Sequence, residues 1–171
     1  GRVLEVGCGA GVLGERLNTV RALALDVRIP ANGYAADQLR RVDVRNLGAA
    51  EAGVDLTRLE AWADDGNGTF EPALDTRLGA LLFTGERWQL TGLTRAVPVS
   101  GLRVFFSVDV ANVATAGRTI RLEIPSLPDV GIGMTSSNSG PVDQEVENPF
   151  ELAITTADRI TLSAAAIPPD S

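Results

Sequence analysis

At 171 residues the chain has room for one domain with a sizeable core, and not for two comfortable ones. Its formal net charge of −7 offers no basic surface to neutralise phosphates, which argues against a nucleic-acid partner. All fifteen basic residues are arginines and histidine is absent, which removes imidazole acid–base catalysis, histidine metal ligation and lysine Schiff-base chemistry.

The chain opens on VLEVGCGAGVLGERL, residues 3–17: an apolar run, an acid, a glycine-rich turn and a helix-like stretch. Glycines let backbone pass close to a ligand, and an acid at the end of a second strand, where Asp26 stands, holds ribose hydroxyls. Through Glu5, Gly7, Gly9, Gly11 and Asp26 the segment resembles the glycine loop of class I S-adenosylmethionine-dependent methyltransferases. That resemblance implies S-adenosylmethionine as cofactor. The bland alternative is a first strand at Arg2 to Val6 followed by a glycine turn. On that reading residues 1–19 are a first strand or a strand exchanged between subunits, ahead of a sandwich domain over 20–171. Cys8 is the single cysteine, so no intrachain disulfide and no cysteine-rich metal site can form. Its remaining roles are a small packed residue, an intermolecular bridge or a lipid attachment point. No run of about eighteen apolar residues predicts insertion into a membrane.

From Val20 onward the apolar residues recur every second position, the period of a half-buried strand. Leu23, Leu25, Val27 and Ile29 alternate with Ala24, Asp26 and Arg28; Val42 and Val44 alternate with Arg41, Asp43 and Arg45. Residues 34–39 and the VLGERL segment are the only helical candidates.

Next comes ADDGNGTFEPALD, Ala63 to Asp75. Asp64, Asp65, Asn67, Glu71 and Asp75 supply oxygen ligands while Gly66 and Gly68 permit a tight loop, a combination suited to calcium. The stretch resembles the D-x-[DN]-x-[DN]-G calcium loops of dockerins and surface repeats, with the first and last ligands displaced to Asp64 and Asp75. The competing reading is a hairpin loop held by its own Asx side chains.

Beyond it Val104, Phe106, Val108 and Val110 alternate with Arg103, Phe105, Ser107 and Asp109, and Ile120, Leu122 and Ile124 with Thr119, Arg121 and Glu123. Asp143, Glu145 and Glu147 form an acidic stretch, read as a solvated loop in preference to a cation site. Ile160 and Leu162 mark a last strand. Turn signals at 30–33, 46–48, 66–68, 98–101, 116–117 and 136–141 stand where a parallel sheet would need long helical returns. One wet face per strand and closely spaced turns predict an all-β chain, an antiparallel β-sandwich of immunoglobulin-like or jelly-roll-like type.

VDVRNLGAAEAGVDLTRLEAWADDGNGTFEPALDTRLGALLF and LRVFFSVDVANVATAGRTIRLEIP resemble the immunoglobulin-like sandwich modules of secreted and surface-anchored bacterial proteins. The resemblance spans about residues 20–165. It implies secretion or cell-surface placement and a structural or adhesive role without catalysis: a subunit or repeat of a filament, surface layer or adhesin, whose partners are copies of itself or adjacent modules. Trp62 and Trp88 raise carbohydrate binding as an alternative, since exposed indoles stack on sugar rings, but with aromatics only 5% of the chain core roles are favoured for both. Serines and threonines are plentiful, but without histidine or lysine none has a persuasive base, and no pair of the 22 acids is singled out for hydrolysis.

Overall fold

The computed structural model describes residues 19–30, 37–126, 131–136, 139–142, 145–155 and 164–166. Among them are twelve strands and no helix: β1 (Thr19–Ile29), β2 (Asp37–Asn46), β3 (Leu56–Ala63), β4 (Thr76–Phe83), β5 (Trp88–Val97), β6 (Leu102–Ala111), β7 (Thr119–Ile120), β8 (Leu122–Ile124), β9 (Ile132–Met134), β10 (Val146–Glu147), β11 (Phe150–Ala153) and β12 (Ala164–Ala166). The main sheet runs β1-β6-β3-β4-β5-β2-β8-β10, with β9 also on β2; β12-β11-β7 form a small second sheet. Every strand pairing is antiparallel, so the expected antiparallel all-β class holds.

The long sheet curls back on itself at β4. Residues Thr76 to Leu81 of that strand pair with β3, whereas Leu82 and Phe83 pair with Gln89 and Trp88 of β5. Gly79, at φ 152, lies in the part of β4 that pairs with β3, and a Cβ there would stand 3.1 Å from the Leu90 side chain of β5, so a larger residue would press on that strand. Curling brings β1 toward the β8–β10 end, where the Asn148 side chain donates from Nδ2 to the Ala24 carbonyl at 2.7 Å.

Leu25, Val27 and Ile29, Leu39, Val42 and Val44, and Val104, Phe106, Val108 and Val110 fill the interior with Ile120, Leu122 and Ile124. Alternation predicted most of this set and failed at three places. In β1 the register to β6 shifts between Leu23 and Leu25. The bulge moves the phase, leaving Leu23 half-buried and Ala24 buried. In β6 the expected wet face is buried as well: Phe105, Ser107 and Asp109 join the in-facing residues below 9% exposure. β6 lies between β1 and β3, and its outer face carries a second, satellite layer. Asp43 of β2, also expected to face water, is fully buried. The helix considered over 34–39 is a strand from Asp37 onward; residues 34–36, the glycine segment 1–18 and the strand expected around Ile160 and Leu162 lie outside the described residues.

Candidate metal loop and the open seam

The β3–β4 connection, residues 64–75, is positioned by its aromatic residue. Phe70 packs edge-on against Trp62 of β3, centroids 5.8 Å apart, and against Phe105 of β6 at 5.7 Å. Cross-strand register places Trp62 opposite Phe105, so the loop folds over the outer face of the sheet instead of projecting from it. Around that aromatic layer run charge pairs. Glu60, 2% exposed, takes Arg21 at 2.9 Å, Arg77 at 2.6 Å and Arg58 at 3.7 Å. Arg21 also forks onto Asp109 at 2.7 and 2.9 Å and lies 5.5 Å from the Trp62 ring centre. The Trp62 indole N–H donates to the Ser107 hydroxyl at 2.9 Å.

Of the five oxygen donors expected in the loop, the structure gathers three. One carboxylate oxygen each from Asp64, Asp65 and Asp75 lies within 4.8 Å of the others. Asn67 and Glu71 pair with each other instead, Nδ2 to Oε2 at 2.9 Å. Each acid also serves the loop backbone: Asp64 accepts from the Gly68 N–H, Asp65 from the Asn67 N–H, and Asp75 from the Asp65 and Glu71 N–H groups. These are Asx-type bonds that hold the turn without an ion. A second oxygen on Asp64 and on Asp65 accepts nothing among the described residues, and every carboxylate oxygen carries two lone pairs. Three carboxylates thus supply part of the six to eight oxygens calcium takes. Gly68 is required at the floor: at φ 77, a Cβ would stand 2.6 Å from an Arg103 guanidinium nitrogen, and that guanidinium is held by Asp26 at 2.6 and 2.8 Å.

Asp26 therefore has a partner on the neighbouring strand, with both carboxylate oxygens engaged. Trp62 and Trp88 are each 5% exposed, Trp62 beneath Phe70 and Trp88 against Phe83 at 4.7 Å. Neither presents a ring face on which a sugar could stack.

Two further acids organise loops that carry no sequence motif. Asp37 opens β2 and accepts from the Ser136 and Thr135 hydroxyls and from the Ser136 and Gln38 N–H groups. The Ser136 hydroxyl is the largest cause holding its carboxyl down, to about 2, against the opposing pull of burial. Asp55 is fully buried. Burial pushes its carboxyl up, but the Glu51 and Thr115 N–H groups and the Arg118 guanidinium together hold it below its ordinary value. The acidic stretch near the end has a different character. Glu147 is paired with Arg121 across the strand junction, while Glu123, directly opposite Glu147 in the ladder, is raised by burial and by Glu145 and Glu147, against the pull of Arg45 and Arg121.

Below the Asn148–Ala24 clasp no strand pairing among the described residues continues the closure. β1 is hydrogen-bonded to β6 along one edge, and no strand occupies its other edge among the described residues. An apolar groove of about 450 Å³ lies there, lined by Val27, Ile29, Ile132, Met134, Val142 and Val146. Periodicity assigned Val27 and Ile29 to the core, and no local signal marks the seam, because it is made by elements more than a hundred residues apart. Comparison of the chain with protein-family models, curated proteins and solved structures found no match.

Proposed function

We propose that the chain is a non-catalytic structural module of a secreted or cell-surface assembly, a filament, surface layer or adhesin, joined to copies of itself through sheet edges. The observation that carries this reading is that, among the described residues, no strand pairs with the outer edge of β1, which lies beside an apolar seam. An exposed edge is a template for a further strand, and proteins that stay monomeric cover or blunt it. The distribution of charge agrees with a structural role: among the described residues the buried acids Asp43, Asp55, Glu60, Asp109 and Glu123 each lie within 3.7 Å of an arginine, while Asp37 accepts from hydroxyls and backbone N–H groups and Asp75 from N–H groups of its own loop. Calcium held by Asp64, Asp65 and Asp75 is part of the proposal. Extracellular modules bind at ~10⁻⁴ to 10⁻³ M, a range suited to a surface and of little use in a cytosol.

The test is sedimentation velocity of the purified chain over a range of concentrations, with negative-stain microscopy, with and without millimolar calcium. Association that grows with concentration, and rods or sheets on the grid, are the expected outcome. A monomer under all of these conditions overturns the assembly reading.

A further inference from the structure

We propose that the seam groove receives residues 3–8 of a neighbouring copy as an added strand, so that the molecules join head to tail. The inference rests on the assembly reading above and names its joint. The floor of the groove, Val27 and Ile29 with Ile132, Met134, Val142 and Val146, is apolar, while the edge of β1, which pairs with no other strand among the described residues, supplies backbone donors and acceptors. Strand addition uses this combination: main-chain bonds give affinity, and alternate side chains entering pockets give register. Val27 to Ile29, the last three residues of β1, span roughly 10 Å of strand at about 3.3 Å per residue, enough to seat Leu4 to Val6 at the centre of the partner segment.

The segment VLEVGC matches the groove in phase and in charge. Leu4 and Val6 fall on one side of an extended chain and Glu5 on the other, as Val27 and Ile29 of β1 face inward while Arg28 faces water. With Leu4 and Val6 in the groove, Glu5 comes to the side of Arg28. Arg28 is exposed and takes part in no ion pair among the described residues.

The clasp selects a second copy as the source. Residues 1–18 join their own β1 at Thr19, eight residues or roughly 26 Å from Val27. To reach the groove they would run back along β1 past Ala24, whose carbonyl already accepts from Asn148. A neighbour's segment entering from the Pro30 end meets no such bond. Donor and acceptor surfaces differ, so the contact is heterologous and does not close on a pair; it propagates into a ring or a fibre.

The experiment uses two full-length variants under reducing conditions, so that Cys8 forms no bridge. Leu4→Asp with Val6→Asp removes the donor. Val142→Arg fills the groove mouth at a side chain 63% exposed, where the fold is not at risk. Each variant alone is expected to sediment as a monomer, and an equimolar mixture as a 1:1 dimer that grows no further, since it holds one intact donor and one intact groove. Arg28→Glu should weaken association of the wild-type chain severalfold, and Glu5→Arg in the same chain should restore it. If the wild type associates and both variants associate equally well, the seam is not the joint, and the assembly reading stands on another surface. If the wild type is monomeric and the donor variant melts earlier, the segment fills its own groove and the proposal is overturned. If the wild type is monomeric and the donor variant melts unchanged, the seam and the assembly reading fall together.

Discussion

Asp37 and Glu60 show two ways in which a buried acid is stabilised, and each predicts a different experiment. Asp37 is held by neutral hydroxyls and backbone N–H groups that favour its charged form. Its folded value, about 2, lies below the ordinary carboxylate value of the unfolded chain. The unfolded chain therefore takes up the proton first, and the contribution of Asp37 is complete above roughly pH 4 and lost as the pH falls through about 2. Melting curves of the wild type and Asp37→Asn should differ at pH 5 and converge toward pH 2; curves that stay parallel to pH 2 would rule this carboxylate out as the source. Glu60 is held by charge. Replacing it with glutamine leaves Arg21, Arg58 and Arg77 facing one another. Because those side chains are 35%, 55% and 50% exposed, water screens much of the repulsion, and the loss should be about 1–3 kcal/mol, below that of a fully buried broken pair. Urea unfolding should show a lower midpoint at unchanged slope.

At the scale of elements, periodicity of two located β1, β2, β6 and the β7–β8 region, because hydrophobic burial on one face leaves a local imprint. It missed the satellite layer, because whether Phe105 and Asp109 meet water depends on a loop and a strand from elsewhere in the chain. Bulges were equally hidden, since Ala24 reads as any small residue in a wet position. Legibility of the candidate site followed the same division. The acids and glycines of 64–75 were visible as a loop, and three of five donors converge; the pairing of Asn67 with Glu71 required the turn itself. Phe70, which no motif singled out, holds this loop on the sheet. Its two ring contacts are worth about 0.5–1.5 kcal/mol each beyond the area they bury, so Phe70→Ala should release the loop while leaving the barrel folded. Limited proteolysis should then cut within 64–75 faster than in the wild type. Millimolar calcium should slow that cleavage and raise the melting temperature, and magnesium should do so less, since it demands octahedral geometry and sheds water reluctantly. If chelation changes neither cleavage nor melting in the wild type, the Asx bonds alone hold the loop.

Among the described residues the main sheet nearly meets itself, and the way it stops short decides how the molecule behaves. Full closure is what abolishes edges in a barrel; here the change of partner along β4 lets the two ends approach, a hydrogen bond from Asn148 to Ala24 joins them, and among the described residues no strand pairs with the rest of the β1 edge. Asn148 serves both sides of that junction, since its Oδ1 also accepts from the Phe150 N–H at 3.2 Å, fixing the entry to β11. Asn148→Ala removes the donor from a partly buried carbonyl and the acceptor from a backbone amide. The cost should be about 1–3 kcal/mol, a fall in melting temperature of roughly 2–4 °C per kcal/mol for a chain of this size. The distinctive consequence is where the loss appears. Native-state hydrogen exchange should speed up along β1 and at 145–150, while β3, β4 and β5 keep their protection, because opening the clasp frees only the ends of the sheet. Uniform acceleration across all strands would mean that the clasp is one bond among many and that the seam is closed by packing alone.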